Sequence, residues 1–185
     1  MSVTIRTARE GDYNEIDQLL RAAFPGPQEA QIVRILRAAD ADSLELVGAH
    51  AHGDHEHVLA HILFSPVTAK TAAGVELFGL GLGPLAVDGS VRRQGLGAAM
   101  VAAGLEHLKW LPVPFVVVLG SPKYYAQFGF VPASARGWRW DKDRGDDPDL
   151  TAAFQVLIRD EDRCPLGSHD APVTLSYHPA FDMAE

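Results

Sequence analysis

A glycine-rich turn between an apolar segment and an alanine-rich segment is the feature that most constrains the fold of this chain. Residues 82–100 read LGPLAVDGSVRRQGLGAAM, with a strand pattern up to Val87 and a helix pattern from Gly95 onward. The first N–H groups of a helix have no partner within the helix, and the helix dipole makes that end positive. Glycine lets an anion approach those N–H groups closely. A turn of this kind can therefore hold a phosphate group.

The glycine spacing excludes two common nucleotide-binding motifs. Position 100 is Met rather than the third glycine of a dinucleotide-binding turn, and no Gly-Lys pair follows as in the phosphate loop of nucleoside triphosphatases. A tight strand-to-helix turn without a ligand is the other interpretation of Gly95 and Gly97. The turn taken alone does not decide between the two.

The other segments predict a single domain over residues 1–185, built on a mixed α/β sheet of six or seven strands. VTIRTA is typical of a short strand, and two amphipathic helices follow, the first with a capping box formed by Asp12 and Glu15. SLELVGAHAH and EHVLAHILFSPVTA predict an antiparallel hairpin. The apolar run FVVV at 115–118 is typical of a strand that is covered on both faces.

Composition and charge exclude several classes of protein. The formal net charge of −8 argues against nucleic acid as a partner, because contacts to phosphates need a basic face. No apolar run approaches the roughly 18 residues of a membrane span, and the first residues lack the pattern of a signal peptide. The single cysteine, Cys164, forms no internal disulfide and is typical of a reducing compartment. We therefore expect a cytoplasmic protein that contacts neither membrane nor nucleic acid.

Two motifs in a fixed order make the chain resemble the GNAT superfamily of acyl-CoA-dependent N-acetyltransferases. RRQGLG places Arg92, Gly95 and Gly97 in the pattern Arg/Gln-x-x-Gly-x-Gly/Ala, and YYAQFGF follows further along the chain. HILFSPV, GLGPLAV and GSPKYYAQFGFVPA together are similar to the bacterial YhbS-like branch of that superfamily. The resemblance covers most of the chain, up to the final VTLSYHPAF.

The resemblance implies a mostly antiparallel sheet with helices on both faces and with one pair of parallel strands that splays apart. The gap between those strands accepts the pantetheine arm of acetyl-CoA, the expected co-substrate, much as a sheet accepts an added strand. The backbone positions that match this role are Leu85, Ala86 and Val87. The pyrophosphate falls on the amides of Arg93, Gln94, Gly95, Leu96, Gly97 and Ala98, with Arg92 as a flanking charge. Ser121 stands where many relatives carry a cofactor-contacting Asn.

The resemblance also implies a reaction. A primary amine, on a small molecule or a peptide, attacks the thioester directly in a ternary complex, and Tyr125 protonates the departing sulfur. A purely structural aromatic role for Tyr125 is the alternative at that position. The base that neutralises the amine stays open between Glu29, Glu76 and water. A non-catalytic acyl-CoA-binding regulatory module is the alternative function, and a homodimer stays open because dimers are common among similar proteins.

Five histidines lie close together around the predicted hairpin. They are His50, His52, His55, His57 and His61. Imidazole is a ligand of zinc, copper and nickel, but the spacing matches no closed metal site and no cysteine is near. We expect a solvated turn and no metal.

Overall fold

The computed structural model describes residues 2–53 and 55–183. Its strands are β1 (Thr4–Thr7), β2 (Leu44–His52), β3 (His55–Lys70), β4 (Glu76–Val87), β5 (Phe115–Leu119), β6 (Val131–Pro132), β7 (Trp138–Trp140), β8 (Phe154–Ile158) and β9 (Val173–Tyr177). Its helices are α1 (Tyr13–Ala23), α2 (Gln28–Ala38), α3 (Leu96–Leu108), α4 (Pro122–Tyr125), α5 (Pro148–Ala153) and α6 (Ala180–Met183). The chain divides into two compact units, with β3 and β4 passing from one into the other.

Unit 1 comprises residues 1–65, 83–111 and 179–185. Within it β2 pairs with both β1 and β3 in antiparallel fashion, and the pairing of His52 with His55 closes the predicted hairpin. One face of these strands packs against the apolar stripes of α1 and α2, a core that includes Ile16 and Leu36. The opposite face meets α3, where Gly104 lies directly against the ring of Phe64. The predicted helices on both faces of the sheet are therefore present.

Two details at α1 differ from the sequence prediction. The helix begins at Tyr13, but the capping box is wrong, because Asp12 makes no side-chain cap to this helix. The Asp12 carboxylate instead accepts hydrogen bonds from the Arg6 guanidinium at 2.7 and 2.9 Å. Glu15 accepts a hydrogen bond from the Val58 N–H at 2.8 Å. A contact to nearby β1 therefore takes the Asp12 carboxylate, and a contact to β3, which is distant in sequence, takes the Glu15 carboxylate.

Unit 2 comprises residues 66–82 and 112–178. Its central strand β5 is parallel to β4, antiparallel to β8 and fully buried from Phe115 to Val118, as the apolar run predicts. The part of β4 that pairs with β5 runs from Leu80 to Leu82, while the strand itself continues to Val87. The splay beyond this paired part stays a prediction.

The described sheet has nine strands, more than the six or seven predicted. The strand that sequence reasoning missed is β7, which lies parallel to β9. Three residues are too few to show the alternation of apolar and polar side chains by which a strand is recognised. The sheet is mostly antiparallel and contains the parallel pair β4–β5, in agreement with the expected fold class.

The three tryptophans of the chain lie in different environments. Trp138 is 1% exposed in the core of unit 2, and its indole N–H donates to the carbonyl of Pro165 at 2.7 Å. Trp140 is half-buried and stacks on Phe154 with ring centroids 6.3 Å apart. Trp110, which follows α3 in unit 1, is 87% exposed.

Candidate functional site

The turn before α3 leaves three backbone donors without a partner. Gly95 precedes the helix with a φ of 86°, in the left-handed region, and no side chain caps the helix there. The N–H of Ala99 is the first to bond back, to the carbonyl of Gly95 at 3.0 Å. Among the described residues, the N–H groups of Leu96, Gly97 and Ala98 therefore have no backbone acceptor. This arrangement is typical of a helix end that binds an anion.

A cavity of about 360 Å³ lies at this end of α3. The residues that line it are Val3, Val91, Gln94, Gly95, Leu96 and Ala99. A Cβ atom at Gly95 would meet nothing within 4 Å, so the space over the helix end is open. None of the described residues that line this cavity carries a carboxylate. The geometry and the donor set therefore fit a phosphate group.

The one nearby acidic residue on the turn is held away by local hydrogen bonds. Asp88 accepts from the backbone N–H and from the hydroxyl of Ser90. These hydrogen bonds lower the pKa of the Asp88 carboxyl, which stays ionised and satisfied within its own turn. Asp88 thus shapes the loop between β4 and α3.

Arg92 and Arg93 differ in what they do in the turn. The Nε of Arg92 donates to the carbonyl of Val87, the last residue of β4, at 3.0 Å. Arg93 has a φ of 61° and thus adopts the left-handed conformation that non-glycine residues seldom take. Both side chains are exposed. Arg92 therefore ties the turn to the strand. Its role as a flanking charge stays a prediction.

The predicted pantetheine strand segment is the last part of β4. The side chain of Ala86 is buried in the same core as α1 and α2. Leu85 and Val87 are partly exposed on the other side of the strand, as alternation requires. Backbone binding and side-chain packing are therefore compatible at these three positions.

Tyr125 lies in unit 2 at the end of α4, just after β5. Its side chain is 8% exposed and makes edge-to-face contacts with Tyr124 at 4.9 Å and with Phe130 at 5.7 Å between ring centroids. Burial, together with neighbouring Tyr124, raises the pKa of Tyr125 to about 12. The phenol is therefore protonated at neutral pH and holds a proton that it can donate.

Ser121 precedes α4 without capping it through its hydroxyl. Its carbonyl accepts the N–H groups of Tyr124 and Tyr125 at 3.0 and 3.1 Å, while its side chain makes no cap and is exposed. The hydroxyl is thus not used to hold α4 in place. A cofactor contact by Ser121 stays a prediction.

The two carboxylates that sequence reasoning offered as a base lie at element ends. Glu29 is in the first turn of α2 and is partly exposed. Glu76 is the first residue of β4, is exposed and lies 3.5 Å from the ammonium of Lys70. Neither shows the burial that prepares a carboxylate for proton transfer.

A buried polar network in unit 1 was not predicted. His61 is fully buried, and its Nε2 lies 2.6 Å from Oε1 of Glu45, which is 7% exposed. The Nε of Arg37 donates to Oε2 of the same carboxylate at 2.9 Å. A histidine within an apolar strand pattern gives the signal for burial, but its partners come from β2 and α2 and cannot be read from local sequence.

The other histidines of the hairpin are spread along it. Nδ1 of His50 lies 2.8 Å from the carbonyl of Ser2, and His52, His55 and His57 are exposed. Over residues 2–53 and 55–183, no group of three or more His, Cys, Asp and Glu side chains is placed to hold a metal ion. In the same part of the chain, every helix is too short or too polar to cross a bilayer.

Comparisons with known proteins agree with this geometry. Residues 4–133 match the acetyltransferase (GNAT) domain family. The uncharacterized N-acetyltransferase YhbS of Escherichia coli (strain K12) is 37% identical over 147 residues, covering 78% of this chain and 80% of that protein. The uncharacterized N-acetyltransferase YjhQ of the same strain is 29% identical over 133 residues, covering 71% of each protein.

Two solved structures are similar over nearly the whole chain. The crystal structure of E. coli YhbS in complex with CoA has a TM-score of 0.81 and 33% identity, covering 97% of this chain and 92% of that one. A GNAT family acetyltransferase from Brucella melitensis in complex with acetyl-CoA has a TM-score of 0.73 and 32% identity, covering 98% of this chain and 99% of that one. The chain therefore belongs to the GNAT family of acetyltransferases.

Proposed function

We propose that this protein is an N-acetyltransferase that transfers an acetyl group from acetyl-CoA to a primary amine. The observation that carries the proposal is the start of α3, with three unpaired N–H groups beneath an open glycine position. The CoA and acetyl-CoA complexes of the YhbS and Brucella proteins support the same ligand here.

Binding would use backbone groups more than side chains. The amides of Arg93, Gln94, Gly95, Leu96, Gly97 and Ala98 would hold the pyrophosphate, and the backbone of Leu85, Ala86 and Val87 would hold the pantetheine arm. Gly95 lacks the Cβ that would separate an anion from the helix end. Ser121 would add a hydroxyl contact. The acceptor amine would enter a ternary complex with this bound acetyl-CoA.

Tyr125 would act as the general acid. The neutral amine nitrogen forms a bond to the thioester carbonyl carbon, the carbon–sulfur bond breaks, and the thiolate takes the phenol proton of Tyr125. The proton that the new amide nitrogen then loses returns to the phenolate. With a pKa of about 12, the phenol of Tyr125 carries this proton at neutral pH. A buried, firmly packed phenol favours this role over a binding module without turnover.

The test combines a binding and a turnover measurement. Calorimetry with CoA measures binding, and a screen of acetyl-CoA consumption over alkylamines, polyamines, amino acids and peptides measures turnover. We expect Tyr125→Phe to keep CoA affinity and to lower kcat by about 10²-fold or more. Tyr124→Phe is the matched control, because Tyr124 is the neighbouring phenol on the same helix. CoA binding without turnover on any amine would favour the regulatory module, and unchanged kcat in Tyr125→Phe would remove Tyr125 from the reaction.

A further inference from the structure

The network of Arg37, Glu45 and His61 is enclosed within unit 1. Glu45 is the residue that joins the three, because its carboxylate contacts both His61 and the Arg37 guanidinium. Arg37 in turn lies over the ring of Tyr13, with its guanidinium carbon 3.7 Å from the ring centroid. The guanidinium therefore has contacts on α1 as well as on β2, and the carboxylate is held in one orientation.

These contacts determine the state of the His61 ring. Burial works against the charge on Glu45, but the hydrogen bonds from His61 and Arg37 outweigh it and keep the pKa of Glu45 below its ordinary value. Burial lowers the pKa of His61, so the imidazole is neutral at pH 7. A neutral ring that faces an ionised carboxylate through Nε2 carries its proton on Nε2. Nδ1 then carries a free electron pair.

On the side away from Glu45, the His61 ring makes no hydrogen bond to the described residues. Its Nδ1 is a buried atom without a hydrogen-bond partner among the described residues. Most buried polar atoms in proteins have a partner, so an unpartnered one calls for a specific explanation. A ring nitrogen that is oriented by a carboxylate on its other side and unpartnered on this side has the arrangement of a general base.

His61 lies beside the strand segment assigned to the pantetheine arm. The N–H of Asp88 donates to the carbonyl of Leu59 at 2.8 Å, and β3 neighbours β4 in the sheet. Two residues further along β3, His61 is therefore next to the 85–87 segment. Leu63, which shares a strand face with His61, belongs to the same core as Ala86. The free nitrogen is thus on the α1 and α2 side of that strand.

We propose that His61 is the general base that takes the proton of the acceptor amine. This inference rests on the proposed function. The ammonium form of the acceptor gives one proton to Nδ1 of His61, and its freed electron pair then attacks the thioester carbon. The carboxylate of Glu45 stabilises the resulting imidazolium, while the charge of Arg37 opposes it. Glu45 is a positioning residue, because it acts through His61.

The pH dependence of kcat/KM separates this role from a structural one. With a base of pKa below 6.5, kcat/KM of the wild-type protein stays level from about pH 7 to the pKa of the amine. In His61→Gln the reaction needs an amine that is already neutral, so kcat/KM rises about tenfold per pH unit over the same range. At pH 7 we expect a loss of about 10²- to 10⁴-fold. His55→Gln, an exposed histidine of the same strand, is the matched control and keeps the level profile.

A second measurement needs no variant. Nitrogen-15 NMR of the wild-type protein at neutral pH reports whether the His61 proton is on Nε2, as we expect, or on Nδ1, which would overturn the proposal. Thermal unfolding shows whether His61→Gln is folded. A folded His61→Gln with the level wild-type profile refutes the base while leaving the acetyltransferase intact. A wild-type protein that acetylates no amine refutes the proposed function and this inference together.

Discussion

The ring of Tyr125 lies directly against Gly120, where a Cβ atom would come within 2.5 Å of Cε2. Glycine is therefore the residue that allows the phenol to occupy its position. We expect Gly120→Ala to displace the ring and to lower kcat by at least about tenfold with CoA affinity unchanged. Steady-state kinetics and calorimetry measure the two effects. Gly11→Ala is the control, because a Cβ at Gly11 meets nothing within 4 Å. A wild-type kcat in Gly120→Ala would show that turnover does not depend on the position of the Tyr125 ring.

The open helix end at Gly95 predicts that alanine at this position weakens CoA binding, an effect that can be separated from its effect on stability. Gly95 and Gly74 both have left-handed backbones, with φ of 86° and 83°, and open space around Cβ. Alanine at either position costs about 1–2 kcal/mol of folding free energy. Calorimetry with CoA should show about tenfold weaker binding for Gly95→Ala and wild-type binding for Gly74→Ala. Equal CoA affinity in both variants would place the pyrophosphate elsewhere.

The Glu45–His61 pair predicts a loss of stability in acid. Both groups have a pKa below the ordinary value in the folded protein, so the unfolded chain takes up protons first as the pH falls. The stabilisation is complete above the ordinary pKa of 6.5 for His61 and decreases below it. Glu45 adds a second decrease below its ordinary pKa of 4.5. Each proton lowers the free energy of unfolding by at most about 1.4 kcal/mol per pH unit.

Urea denaturation from about pH 7 to about pH 4 measures this loss. In His61→Gln, the decrease in the free energy of unfolding that begins near neutral pH should disappear. The decrease at lower pH, which belongs to the carboxylates, should remain. The exposed His55→Gln should follow the wild-type curve. A wild-type stability that does not change above the carboxylate range would contradict the lowered pKa of His61.

Cys164 should be unreactive in the folded protein. It is 4% exposed, its thiol donates to the carbonyl of Pro114 at 3.5 Å, and burial raises its pKa to about 11. Because the thiolate is the nucleophile, reaction with a disulfide reagent at pH 8 should be slow until urea unfolds the chain. Rapid labelling of native protein, with unchanged thermal unfolding, would contradict this burial.

Much of the fold was predictable because its main elements carry regular patterns. The stripe of Ile16, Leu19 and Leu20 predicted α1, and the apolar run of β5 predicted a strand buried on both faces. The hairpin of β2 and β3 formed where alternation and the turn residues predicted it. The short β7 and the partner of Glu15 were missed, because both depend on residues far apart in the chain.

The site divides in the same way. The glycine turn and Tyr125 were recognised from local motifs, and the structure shows the unpaired N–H groups and the buried phenol at those positions. His61 was grouped with the exposed histidines, because sequence shows its neighbours along the chain and not across the sheet. Its contact with Glu45 joins two strands, and its contact to Arg37 through that carboxylate joins a helix.

The distribution of the tryptophans has a spectroscopic consequence. Trp110 is already in water in the native state, so its emission changes little when the chain unfolds. Trp138 is enclosed and Trp140 half-enclosed, and both belong to unit 2. The red shift of intrinsic fluorescence during denaturation therefore follows the opening of unit 2. Circular dichroism follows helix content, most of which belongs to unit 1, so disagreement between the two curves would show that the units melt separately.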